Sequence, residues 1–170
     1  SELNEKIEDY LLEELGISIE TKIKNKSFYL ANFKELDRWD VWNKKEIMTS
    51  KKFDIVSFGT TLLDKPKYGS NSKASDKITD TRYVRITDIN EDGSLNDEIV
   101  SSEKFYKQYL LEENDLLIAR SGNTVGKTFL YKNHFGKCIY AGYLVRYRIN
   151  PQIANPDFIF FYSKTKPFKL

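Results

Sequence analysis

Asn114-Asp115-Leu116-Leu117-Ile118-Ala119-Arg120-Ser121-Gly122-Asn123-Thr124-Val125-Gly126-Lys127-Thr128 decides how this chain is read. Four apolar residues, Leu116, Leu117, Ile118 and Ala119, stand between Asp115 and Arg120 and read as a buried strand. The strand empties into a polar loop with two glycines, an Arg and a Lys, the usual way a site is displayed. Strand, glycines and Gly-Lys-Thr together suggest a phosphate loop, but that loop needs four residues between its first Gly and the Gly-Lys pair. Here only Asn123, Thr124 and Val125 separate Gly122 from Gly126, and Ser121 stands where the first Gly belongs. Thr128-Phe129-Leu130-Tyr131 favours a returning strand where a nucleotide hydrolase needs a helix.

Toward the C-terminus, residues 133–137 read as a turn, and Cys138-Ile139-Tyr140-Ala141 and Tyr143-Leu144-Val145-Arg146-Tyr147-Arg148-Ile149 as strands. Gly142 between them marks a bulge or a close approach. In the second strand Tyr143, Val145, Tyr147 and Ile149 share a face expected to point inward; Leu144, Arg146 and Arg148 share the outward one. Asn155-Pro156 is a helix start, an N-cap followed by Pro at the first helical position.

Toward the N-terminus, residues 105–111 fit no single element, Ile99-Val100 reads as a short strand, and Asp92-Gly93 as a turn. Thr81-Arg82-Tyr83-Val84-Arg85-Ile86-Thr87-Asp88-Ile89 alternates like a strand. Residues 64–77, rich in Lys, Ser, Gly and Pro, read as a long functional loop without regular structure. Residues 53–59 are expected as a strand entering a turn, 60–63 as a short helical or extended continuation, and 43–51 as a short helix. Trp39 and Trp42 are expected in the core beside an Arg–Asp pair, residues 28–30 as a strand, and 17–26 as a connection. Residues 2–15 place Leu3, Ile7, Tyr10, Leu11 and Leu15 on one helical stripe that Gly16 ends. The layout is α+β: mixed and antiparallel strands joined by long loops, with helices at the two ends. Residues 1–16 are expected to belong to a connecting helix of a longer protein, and residues 17–170 to form one domain.

The 170 residues, 40% hydrophobic, suffice for one core but not for two full domains. No run approaches the roughly 18 apolar residues of a membrane helix and no signal-peptide pattern opens the chain, so the expected compartment is the cytoplasm. Cys138 is the single Cys, without a Cys or His at ligand spacing; it is expected to be a small core residue, and structural zinc is excluded. Net charge is only +2, but it is sorted along the chain. Residues 65–85 carry six basic residues against two acids, and residues 88–115 carry nine acids against Lys104 and Lys107. Residues 116–156 contain no Asp or Glu while Arg120, Lys127, Lys132, Lys137, Arg146 and Arg148 supply positive charge. Such sorting fits a basic face as well as a solvated charged surface.

Enzymatic readings lack their motifs. Asn155-Pro156-Asp157-Phe158 lacks the second Pro of an adenine methyltransferase motif, and Glu20-Thr21-Lys22 is too short a match for a nuclease. His134 is the sole His, expected in an exposed turn with no triad partners. No catalytic residue, metal or cofactor is expected. What remains is binding: long loops rich in Lys, Arg, Asn, Ser and Thr carry the side chains that contact phosphates and base edges.

Tyr83-Val84-Arg85-Ile86-Thr87-Asp88-Ile89 with Asp92-Gly93, and the stretch from Asn114 to Lys127, resemble a target recognition domain of the type I restriction–modification specificity subunit. The family pattern is roughly Tyr-Ile-Arg-Ile-x-Asp-Ile, then Gly-Asp-Ile-Leu-Ile-x-Arg-x-Gly with Gly-Lys shortly after. Asn114 replaces the first Gly of the second motif and is expected to be a turn residue of similar tolerance. The resemblance runs from about residue 28 to the end. It implies a non-catalytic domain that reads one half of a bipartite double-stranded DNA target and directs a partner adenine methyltransferase and, through it, a restriction subunit. The parent is then a specificity subunit, a half-length version of one, or a fused restriction–methyltransferase. Candidate DNA contacts, chosen by chemistry, are Lys65, Lys67, Tyr68, Ser70, Asn71 and Lys73 in one loop and Arg120, Ser121, Asn123, Thr124 and Lys127 in the other. Arg120 and Lys127 are expected to hold phosphate or the fold, because their positions recur in the family pattern whatever the target. The competing reading is a protein-interaction domain whose basic face docks an acidic partner.

Overall fold

A computed structural model describes residues 2–21, 46–50, 52–54, 56–120, 126–165 and 168. The expected strand at 28–30, the two tryptophans, and Ser121, Asn123 and Thr124 lie outside these residues. The chain divides into two compact units, Ser1–Val56 with Thr165–Leu170, and Ser57–Lys164. In the first, helix α1 (Glu2–Leu15) ends at Gly16, whose φ is +62°. Ile7 and Tyr10 of its apolar stripe are exposed. Strands β1 (Ile17–Thr21) and β2 (Glu46–Ser50) pair antiparallel, from Ile17 opposite Ser50 to Thr21 opposite Glu46. The sequence reading of a connection at 17–26 and a helix at 43–51 is therefore corrected over the described residues 17–21 and 46–50. The β-branched Ile17, Ile19 and Thr21, at alternate positions, suit a pleated ladder better than a link.

The second unit is built on a four-stranded antiparallel sheet in the order β3-β10-β7-β8: β3 (Lys67–Tyr68), β10 (Leu144–Arg148), β7 (Asp115–Ala119) and β8 (Thr128–Leu130). Strand β7 is the run from which the fold was read, and it is covered on both faces. Leu117 and Ala119 join Val84, Ile89, Phe129, Cys138, Tyr140 and Leu144 in the main core. Leu116, with Leu130 and Ile149, packs on the other side against Phe58, Leu62, Ile159 and Phe160. A strand buried on both faces is uniformly apolar, which explains why the sequence shows no alternation there.

Strand β5 (Arg82–Val84) runs parallel to β9 (Cys138–Tyr140), and β4 (Ala74–Ser75) pairs antiparallel with β6 (Ser101–Ser102). The alternating run 81–89 is a strand only as far as Val84. The Asp88 carboxylate accepts from Arg85 N at 2.8 Å, Asp88 N donates to Arg85 O at 3.0 Å, and the chain closes into a 3-10 turn over Ile86–Asp88. Helix α2 (Pro156–Tyr162) starts as expected, with Asn155 Oδ1 accepting from Asp157 N and Phe158 N. Asn114 takes φ +69°, so its role as a Gly-like turn residue is observed. His134 is exposed in a 3-10 turn and Cys138 is buried. The expected strand at 53–59 is absent among its described residues, and Phe58–Thr61 is a 3-10 turn. Among the described residues no helix is long and apolar enough to cross a membrane. The fold is a mixed α+β arrangement.

Candidate functional site

Residues 64–77, read as irregular, hold two short strands with a crossing between them that shapes a cleft. Strand β3 lies on the edge of the central sheet, Lys67 opposite Arg146 and Tyr68 opposite Val145. Gly69 then passes so close to the Ala141 and Tyr140 carbonyls that a Cβ there would collide with backbone. Ser70 N donates to Tyr140 O at 2.8 Å, Gly142 N donates to Ser70 O at 2.8 Å, and the Tyr83 hydroxyl lies 2.8 Å from the carbonyl oxygens of both Ser70 and Ser72. Burial raises the pKa of that phenol above its ordinary value, against the hydrogen bond at Ser70. Beyond the crossing, Glu103 N donates to Lys73 O at 2.9 Å and Lys104 N to Ser72 Oγ at 3.1 Å, extending the β4–β6 pairing. A 3-10 turn over Lys107–Tyr109 follows. The Tyr109 ring sits edge-on to both Tyr106 and Tyr140, at 6.1 Å in each case.

Between these segments lies an open cleft of about 360 Å³, lined by Ser70, Asn71, Ser72, Lys73, Glu103, Lys104, Tyr106, Gln108 and Tyr109. The Asn71 and Gln108 carboxamides and the Lys73 and Lys104 ammonium groups have no hydrogen-bond partner among the described residues. Gly142 backs the cleft: a Cβ there would collide with Asn71 Oδ1.

Of the two readings of residues 116–156, a basic face or a solvated charged surface, the first loses ground because tertiary contacts return acids to that stretch. Arg146 Nη2 is 2.6 Å from Asp64 Oδ2, Arg148 pairs with Asp115 and Glu112, and Lys127 with Glu91. Lys132 pairs with Asp157 and Lys137 with Asp80. Arg146 and Arg148 also do not point outward. Arg146 is 3% exposed and Asp115 is fully buried, so this side of β10 faces a core that carries its own counter-charges. Burial would raise the Asp64 pKa, but the Lys67 hydrogen bond and the Arg146 charge hold it below the ordinary 3.8. Of the six cations only Arg120 lacks an acid among the described residues; its guanidinium lies 4.7 Å from the ring centroid of exposed Tyr68.

The structure brings Asn71 and Lys73 together in the cleft and Tyr68 together with Arg120 at the sheet edge. Lys65 is exposed, and Lys67 is tied to Asp64 at 2.9 Å. Ser70 is 1% exposed, with its Oγ accepting from Ser72 N, so its place is in the crossing rather than on the surface. Lys127 donates to Ile89 O at 3.2 Å and pairs with Glu91 at 3.0 Å. Sequence reasoning missed Glu103, Lys104, Tyr106 and Gln108. The available signal was the Glu-Lys-Phe-Tyr-Lys-Gln-Tyr run at 103–109, where basic, amide and aromatic side chains are interleaved. Among the described residues no group of three or more His, Cys, Asp or Glu could hold a metal ion. The cleft offers donors, acceptors, two ammonium groups and an aromatic face, a set suited to recognising a polar anionic ligand. No family model matches the chain, and no curated protein matches its sequence.

Proposed function

We propose that this chain is a sequence-specific DNA-binding domain of the target recognition type found in type I restriction–modification specificity subunits. The observation that carries the reading is the division of its cations. Those of the acid-free stretch are mostly spent on ion pairs within the fold, whereas Lys65, Lys73, Lys104 and Arg120 are exposed and without an acid partner among the described residues. These stand with unpartnered carboxamides and an exposed Tyr68, the groups that hold phosphates and read base edges. The two motifs that carry the family resemblance support the same reading: one supplies β7 at the centre of the sheet, the other β5 and the Arg85–Asp88 turn. In this role the domain reads one half of a bipartite target in the cytoplasm and directs a partner adenine methyltransferase and restriction subunit, with no catalysis of its own.

Binding to a randomised duplex library at several salt concentrations tests this. Four neutralised phosphates would give a log–log slope of about −3.6. Enrichment of one sequence class with such a slope is the expected result. Binding to an acidic protein surface with no duplex retained at low salt would replace the reading with a protein-docking one.

A further inference from the structure

We infer that the cleft between residues 70–73 and 103–109 takes a single nucleotide whose base is out of the duplex stack. The inference rests on the nucleic-acid reading above and adds the unit that the cleft accommodates. The edge of a duplex base pair is read by an element that projects into a groove, and these residues instead form a concavity. Its 360 Å³ lies at the small end of the roughly 300–1,000 Å³ typical of small-ligand sites, room for one base and its phosphate rather than for a pair.

The lining divides by chemistry in the way a nucleotide does. Lys73 and Lys104 are the cations for the phosphate. Tyr106, 45% exposed and braced edge-on by Tyr109, offers a ring face for stacking. Asn71 and Gln108 each carry a paired donor and acceptor, matching the donor–acceptor edge of an unpaired base. Glu103 adds an acceptor suited to an exocyclic amino group and opposes a second phosphate. The carboxamides are the informative part: a clasp for backbone alone has use for the lysines but none for two unpartnered amides beside an aromatic ring.

The test uses the whole chain, with 15N side-chain amide signals of Asn71 and Gln108 followed during titration with deoxyadenosine monophosphate and, separately, inorganic phosphate. The nucleotide should shift both amide signals and phosphate neither. Tyr106→Ala should weaken nucleotide binding about tenfold. Tyr106→Phe, which keeps the ring, should restore it, and Tyr143→Ala, at an exposed tyrosine outside the cleft, should leave it unchanged. Equal shifts with phosphate alone, no shift at saturating nucleotide, or full affinity in Tyr106→Ala with an unchanged melting temperature would each overturn the inference. Duplex binding alongside such a result leaves the DNA reading standing and removes only the nucleotide cleft. Nucleotide binding without duplex binding does the reverse.

Discussion

Arg148 and Asp115 face each other across β10 and β7, with Arg148 Nε 2.9 Å from Asp115 Oδ1 and Nη2 3.0 Å from Oδ2. Asp115 is fully buried and also accepts from Glu112 N at 2.9 Å, so it ties the turn before β7 to the sheet. The Asp115 hydrogen bond, against the cost of burial, raises the arginine pKa further above its ordinary value. Asp115→Ala leaves a half-buried guanidinium without its main partner and should cost about 3–5 kcal/mol. The double variant Asp115→Leu with Arg148→Met should recover most of that loss. Urea unfolding midpoints at constant m-value decide it, and a loss below 1 kcal/mol for Asp115→Ala would show that the pair is replaceable by solvent.

The division of cations makes a second prediction, on DNA binding. On the proposed DNA-binding reading, Lys73→Ala and Lys104→Ala should each make the salt slope shallower by about 0.9, the share of one phosphate contact. Lys132→Ala and Lys137→Ala should leave the slope as it is, because those ammonium groups are held by Asp157 and Asp80. Equal effects from all four would restore the broad basic face that the sequence suggested.

Much of the sheet was legible, and the reason is local. Strand β7 carries its apolar run in consecutive residues, Asn155-Pro156 caps α2 through its own side chain, and Asn114 shows its tolerance for φ +69° in residue type alone. The environment of the arginines was not legible, because it depends on partners far along the chain: Asp64 lies 82 residues from Arg146 and Asp115 lies 33 from Arg148. Alternation separates the two faces of a strand, but it cannot tell which face meets solvent when both are covered. The same limit hid half of the cleft. Asn71 and Lys73 stood out in a polar loop, whereas Lys104 and Gln108 join them only because β4 pairs with β6, two residues on each strand. Strands that short leave no periodic trace.

Glycine substitutions at the crossing should separate folding from binding. Gly69→Ala places a methyl against the carbonyls of Ala141 and Tyr140, neither able to move without disturbing β9 and β10, and should cost about 1–3 kcal/mol. Gly142→Ala meets the flexible tip of Asn71, with Ser70 O next at 3.4 Å, so its thermal midpoint should change little while the Asn71 amide signal moves. A Gly142→Ala protein as unstable as Gly69→Ala would mean that Asn71 is fixed rather than free to turn.

Alkaline stability supplies the last prediction. Burial pushes the Cys138 thiol up from 9.0 to about 11, slightly offset by the Arg82 charge, and the Tyr140 phenol up from 10.0 to about 12. Between pH 9 and 11 the unfolded chain therefore loses the thiol proton while the folded chain keeps it. The folded state binds more protons there, so stability falls as pH rises, by about 1.4 kcal/mol per pH unit for one such group. Tyr140 prolongs the fall toward pH 12. Unfolding free energies should thus be flat from pH 7 to 8 and decline above 9. Cys138→Ala, although less stable throughout, should show a shallower decline between pH 9 and 10. At pH 8 the thiol should stay unreactive to an aromatic disulfide reagent until denaturant is added. Rapid labelling of the native protein would show that Cys138 is reached by local opening of β9, and the thiol's share of the decline between pH 9 and 11 should then shrink as well.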